Sequence, residues 1–166
     1  MCAKPNIFRN WRPAEESDSR SIWAWRNDAL SRRHSLTPGR ISWPVHQRWF
    51  AAKLDDPRSL ILMACGPEGD SLGQLRLDHA AAGVAEVSIT VAPSCRGQGV
   101  AGAMLKRIPS LIKGRRLRRL VAHIKPENIA SVVVFIKAGF QFQKLVRIKG
   151  TVAYRLELKL APERPS

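Results

Sequence analysis

Apolar and polar residues alternate from Val84 to Val91. That period lays one face of a strand against a core. From Gly99 to Lys113 the apolar positions recur at helical spacing instead. The chain therefore passes from strand to helix through Val91-Ala92-Pro93-Ser94-Cys95-Arg96-Gly97-Gln98-Gly99-Val100-Ala101-Gly102. The same reading predicts a strand over Asn6 to Arg12 and a helix over Ala14 to Leu30, with Ile22, Trp25 and Ala29 at core spacing. A polar loop follows from Ser31 to Arg40. Ser42 caps a second helix, with Pro44 in its first turn, which runs to Leu54. Strands are expected over Leu60 to Cys65 and Ser71 to Asp78, with a turn at Gly66 to Asp70 between them.

Beyond the glycine-rich turn the helix reaches about Ile112, and Pro109 should kink or shorten it. Leu117 to Ile124 reads as a strand. Pro126-Glu127-Asn128 opens another helix, and Gly139 closes it as a C-cap. Gln141 to Lys149 and Thr151 to Leu160 form a hairpin around Gly150. The predicted order is β-α-α-β-β-β-α-β-α-β-β, and the whole chain, 1–166, reads as one domain.

The strand–glycine–helix passage carries the first chemical signal. A loop of this kind leaves several backbone N–H groups aimed at one point. With the positive end of the helix dipole they suit a phosphate or pyrophosphate. The glycines let a ligand reach the backbone. Neither a G-x-x-x-x-G-K-[ST] loop nor the three-glycine dinucleotide spacing is present.

A second segment lies downstream, where Asn128-Ile129-Ala130-Ser131 leads through Phe135-Ile136-Lys137 to Ala138-Gly139-Phe140. The two together resemble the GCN5-related N-acetyltransferases (GNAT), over roughly residues 58 to 160. That family has a V-x-P strand end, an R-G-x-G-[IV]-[AG] turn and, later, N-x-x-S-x-x-x-[YF]-x-K-x-G-F. The resemblance implies an α/β fold of mixed α+β type, with a mostly antiparallel sheet of about seven strands flanked by about four helices. It implies an acetyl-CoA-dependent N-acetyltransferase. The pantetheine arm would lie along Ile89, Thr90 and Val91. The pyrophosphate would sit on the amides of Arg96, Gly97, Gln98, Gly99, Val100 and Ala101. Asn128, Ser131, Phe135 and Lys137 would line the cofactor's other side. Ser94 stands where the family often has Gln or Arg, which predicts weaker CoA affinity.

Acetyl transfer needs a neutral amine, a stabilised oxyanion and a proton for the leaving thiolate. The resemblance implies Glu86, on the central strand, as the group that takes the amine proton. Many family members place a Tyr where this chain has Phe135, so the usual acid is missing. Ser131, His123 and ordered water are the nearby replacements, and Ser131 is carried forward with Glu86 as catalytic. Tyr154, the only tyrosine, falls in the last hairpin.

The N-terminal third bears on the acceptor. Trp25-Arg26-Asn27 and the later Ile41-Ser42-Trp43-Pro44-Val45-His46-Gln47-Arg48-Trp49-Phe50 resemble the aminosugar branch of the family. That branch acetylates the 4-amino group of a nucleotide-linked sugar in pseudaminic acid biosynthesis. Arg26, Asn27, His46 and Trp49 become the expected substrate residues, with Arg26, Asn27 and Arg33 for a diphosphate, Trp49 or Trp43 for stacking and His46 for a hydroxyl. Acetylation of ribosomal-protein N-termini is the competing enzyme reading. A nucleic-acid-binding module on a degenerate fold of this family is the other alternative.

Composition changes this picture little. The net charge of +15, from 28 Lys and Arg against 13 Asp and Glu, suits anionic ligands such as CoA. It also keeps nucleic acid open as a partner, although no RNA-binding sheet motif or helix-turn-helix is visible. A dense basic run, Lys113-Gly114-Arg115-Arg116-Leu117-Arg118-Arg119, has no assigned role. The cysteines include no C-x-x-C and the four histidines are never at i, i+4, so no metal site is expected. Without a membrane-length apolar run or a signal-peptide h-region, the expectation is a cytoplasmic enzyme. A homodimer remains open.

Overall fold

The computed structural model describes residues 8–161. Its strands are β1 Asn10–Pro13, β2 Ser59–Cys65, β3 Ser71–Ala81, β4 Val84–Val91, β5 Arg119–Ile124, β6 Gln141–Ile148 and β7 Thr151–Lys159. Its helices are α1 Ser19–Asn27, α2 Ala29–His34, α3 Trp43–Asp55, α4 Val100–Leu111 and α5 Ile129–Lys137. The strands form one sheet in the order β1-β2-β3-β4-β5-β7-β6. Neighbours are antiparallel except β4 and β5, which run parallel. The mixed α/β expectation with a mostly antiparallel seven-stranded sheet is met.

The helix expected over Ala14 to Leu30 is two helices. Asp28 takes φ −55 and ψ 142, outside helical space, and its side chain accepts from the N–H of Leu30 and of Ser31. A carboxylate that caps the next helix competes with continuation of the previous one. Hence the described residues hold five helices rather than about four, and α2 occupies part of the expected loop. Strand β3 runs to Ala81, three residues past its expected end, because Ala81 still pairs with Val84. The sharp turn between them needs a left-handed residue, supplied by Gly83 at φ 71. The first strand begins at Asn10; residues 6 and 7 of the expected span lie outside the described residues.

Two cores flank the sheet. The larger joins α4 and α5 to Leu75, Leu77, Ala85, Val87, Leu120 and Leu156 of the sheet. The smaller sits on the opposite face, where Ile22 and Phe50 of α1 and α3 meet Ile61 and Met63 of β2. Strand alternation sorts β4 between these faces. Val87, Ile89 and Val91 turn to the larger core, so Glu86, Ser88 and Thr90 turn to the α1–α3 side. Among the described residues no helix is long and apolar enough to cross a membrane.

Candidate active site

Strands β4 and β5 pair over only three positions, Val84–Arg119, Ala85–Leu120 and Glu86–Val121. Each is held on its outer side, β4 by β3 along its whole length and β5 by β7. Beyond Glu86 their inner edges share no ladder. The sheet opens there into a wedge whose unpaired backbone groups want a partner. Ile89, Thr90 and Val91, expected to meet the pantetheine arm, lie on the open part of β4 and are half-buried.

Glu86 marks the apex. Its Oε1 lies 3.1 Å from Nδ1 of His123, which is two residues beyond Glu86's register partner on β5. The His123 hydrogen bond is the largest influence on the Glu86 carboxyl and holds it below the usual carboxylate range, against the opposing effect of burial. Glu86 is therefore ionised at neutral pH, with nearly half of its side chain exposed, while His123 is mostly covered. Next to it on β3, Asp78 is surrounded by Lys53 Nζ, Ser59 Oγ and Arg76 Nε, each at 2.7 Å. Burial pushes the Asp78 carboxyl up, but these partners outweigh it and leave it low.

The wedge leads to the glycine loop. Gly97 and Gly99 take φ 74 and 78, a region that side chains other than glycine's enter only with strain. Gly99 is the N-cap of α4, and the first helical bond runs from Ala103 N–H to Gly99 O at 3.0 Å. The N–H groups of Val100, Ala101 and Gly102 thus precede any intrahelical acceptor. Those of Gly97, Gln98 and Gly99 form no backbone bond among the described residues. A Cβ built on Gly97, Gly99 or Gly102 would meet no atom within 4 Å, so the space above the loop is open. Arg96 differs from its neighbours. Its N–H points back to Pro93 O at 3.5 Å, and its guanidinium bonds Asp28 Oδ2 at 2.7 Å and Ser31 Oγ at 2.9 Å.

A groove of about 470 Å³ runs from this loop between α4 and α5, and Lys106, Arg107 and Lys137 line it. Arg107 is engaged with the Arg9 carbonyl at 2.8 Å. Lys106 and Lys137 have no ion-pair partner among the described residues. Asn128 caps α5, its Oδ1 accepting the Ser131 N–H at 3.3 Å. Ser131 is half-buried in the first turn, and its hydroxyl makes no bond among the described residues. Phe135 is 3% exposed and meets Phe140 edge-on at 4.9 Å, inside the larger core. Tyr154 lies on β7 opposite Ile124 of β5 and packs edge-on against Phe142 of β6.

The structure ties most of the expected substrate residues into the fold. Both ends of the Asn27 amide bond the Ile41 backbone at 2.9 Å, so Asn27 clamps the loop before α3. His46 is 2% exposed, donates to the Ser19 carbonyl at 3.0 Å and stacks among Trp43 and Phe50. Burial pulls its pKa down, which keeps the ring neutral. Trp49 is half-buried beside the smaller core, with the Arg76 guanidinium 5.2 Å from its ring centre. Arg26 bonds Thr37 through Nη2, while its Nη1 is buried without a partner. Arg32, not singled out by the sequence reading, has an equally orphaned Nε. Its expected place in a polar loop hid it, since only the Asp28 cap makes that stretch helical.

The wedge in a mixed sheet, opening onto a glycine loop at a helix N-terminus, defines an acyl-CoA-dependent transferase fold. The profile of the "Acetyltransferase (GNAT) domain" family matches residues 9–141, and the chain belongs to that family. It is an N-acetyltransferase with acetyl-CoA as the donor. Solved structures agree in fold. The spermidine N-acetyltransferase of Vibrio cholerae, in complex with CoA and spermine, superposes with a TM-score of 0.80 at 19% identity, covering 90% of this chain and 94% of that one. An aminoglycoside acetyltransferase in complex with coenzyme A gives 0.79 at 17% identity, covering 90% and 94%. A putative phosphinothricin N-acetyltransferase gives 0.78 at 22%, covering 92% and 99%. No curated protein sequence matches the chain.

Proposed function

We propose that the protein acetylates the primary amine of a small acceptor at the wedge between β4 and β5, with Glu86 receiving the amine proton. The observation that carries this reading is the ionised Glu86 at the wedge apex, bonded to His123. The acetyl thioester would enter along Ile89 to Val91, with the CoA phosphates on the loop of residues 96–101 and beside Lys137. The neutral amine attacks the thioester carbonyl, the C–N bond forms, and the C–S bond breaks as the intermediate collapses. The proton lost by nitrogen passes to Glu86, directly or through water. The departing thiolate takes a proton from solvent or from Ser131, since Phe135 offers none.

The finer acceptor assignment is a nucleotide-linked aminosugar. It rests on the resemblance of the Trp25–Asn27 and Ile41–Phe50 segments, in which Arg26, Asn27 and Trp49 are half-buried and retain exposed surface. Asn27 supports it only indirectly, by clamping at Ile41 the loop that carries Arg26's partner Thr37, while His46 ties α3 to Ser19 at the start of α1. Release of free thiol from acetyl-CoA, measured against UDP-aminosugars, polyamines and peptides, tests the reading. Turnover of an aminosugar nucleotide is expected. Rapid acetylation of a ribosomal peptide with no sugar turnover would replace it.

A further inference from the structure

Helix α2 lies across the mouth of the wedge. Its first turn is tied to the loop after β4, because Arg96 bonds both Asp28 and Ser31. Its other end is tied to the residue after β5, because Lys125 Nζ donates to the Arg33 carbonyl at 3.0 Å. The chain then reaches the β6–β7 hairpin, where Thr151 Oγ1 donates to the Leu36 carbonyl at 3.1 Å. Whatever enters the wedge from the α1–α3 side passes this segment.

The segment is electrically one-sided. Residues 26 to 42 contain four arginines, at 26, 32, 33 and 40, and one acid, Asp28. Asp28 is already neutralised by Arg96. Neither Arg26 nor Arg32 has a carboxylate within ion-pair distance among the described residues. Each nevertheless keeps a buried N–H with no acceptor, Nη1 of Arg26 and Nε of Arg32. A buried donor left unmet is costly, more so on a charged group. The two also repel, as burial first and then the Arg32 charge lower the affinity of Arg26 for its proton. A water molecule would meet one donor and leave the repulsion. An oxyanion drawn to the two guanidiniums supplies an acceptor and offsets the repulsion between them.

We infer that the acceptor amine carries an oxyanion, a phosphate or a carboxylate, which Arg26 and Arg32 hold at the mouth of the wedge. The inference rests on the proposed acetyl transfer at Glu86 and adds the acceptor group that is read and the residues, Arg32 among them, that read it. It separates this chain from a polyamine enzyme. A polycation such as the spermine bound to the Vibrio cholerae relative would bring further positive charge to a segment that lacks a free acid.

Matched acceptor pairs test it, with acetyl-CoA saturating and thiol release as the readout. Glucosamine is compared with glucosamine 6-phosphate and UDP-glucosamine, and putrescine with 4-aminobutyrate. The phosphate and carboxylate arms identify which oxyanion is read. At least one anionic member should exceed its partner about tenfold or more in kcat/KM. Arg32→Gln should erase that preference, a loss of roughly 10- to 100-fold, while the KM for acetyl-CoA and the melting temperature stay put. Arg32 is the better probe because its side chain bonds nothing in the fold, whereas Arg26 also holds Thr37. Preference for putrescine or spermidine, or an equal effect of Arg32→Gln on both members of a pair, would overturn the inference. If no acceptor turns over, the acetyl-CoA-saturated protein is titrated with inorganic pyrophosphate. Added stabilisation that Arg32→Gln abolishes supports the oxyanion site, and its absence refutes it. A protein that acetyl-CoA itself fails to stabilise refutes the acetyl-transfer reading instead.

Discussion

The two sides of the wedge are built in opposite ways. On the cofactor side, from Gly97 to Gly102, the groups offered to a ligand are backbone N–H groups, and side-chain bonds are few. On the acceptor side, from Trp23 to Phe50, several polar side chains are consumed by the fold, Arg32 excepted. Asn27 and Trp23 bond Ile41, Arg26 bonds Thr37, and His46 bonds Ser19. The contrast separates two kinds of polar residue. A glycine in left-handed space declares its purpose through its own backbone. An Asn or His declares nothing until its partner is known.

The largest effect expected from this contrast lies at the apex. Glu86→Gln should lower turnover by roughly 10²-fold or more at neutral pH, with the loss shrinking at high pH, where solvent base takes the proton lost by nitrogen. Initial rates across pH check it, and an unchanged rate would return Glu86 to a structural ion pair with His123. Next come the acceptor-side clamps. Asn27→Ala and His46→Ala should each cost about 1–3 kcal/mol of stability through lost hydrogen bonds and buried partners left unmet. Denaturant melts check this. A raised acceptor KM with unchanged stability would show instead that these side chains touch the acceptor.

The smallest expected effect concerns acid. The Asp78 carboxyl is held low in the folded state, so its stabilisation is present above the unfolded value of about 3.9 and is lost as pH falls through the folded value. Asp78→Asn should cost on the order of 1 kcal/mol at pH 7, and the gap to the unmutated protein should close below about pH 4. Melting curves from pH 7 to 3 measure it. A constant gap would mean that shape, not charge, holds Lys53, Ser59 and Arg76 there.

The sheet and the cofactor loop were legible because both rest on local pattern. Alternation over Val84 to Val91 and the spacing of Gly97 and Gly99 fix the backbone without reference to distant residues. The break at Asp28 was not legible, since a run of helix formers surrounds it and only the carboxylate's capping of Leu30 and Ser31 stops α1. The role of His46 was hidden for a related reason. A histidine beside tryptophans on a helix reads as a ligand contact until its donation to Ser19, 27 residues away, is seen. The partnership of Glu86 with His123 depends on a parallel register that ends at Glu86 itself, and no local pattern sets that.

The central claim is that acetyl-CoA binds through the backbone of the glycine loop beside an independently built acceptor segment. Thermal melting with and without acetyl-CoA tests it on three proteins: unmutated, Gly99→Val and Asn27→Ala. A ligand at a hundred times its dissociation constant stabilises by about 2.7 kcal/mol, a rise of roughly 5–10 °C for a chain of this size. The unmutated protein and Asn27→Ala should both show that rise, the latter from a lower starting point. Gly99→Val should show none, because valine cannot hold φ 78 without strain and its side chain fills the space above the loop. No rise in the unmutated protein at millimolar acetyl-CoA, or an equal rise in Gly99→Val, would contradict the account.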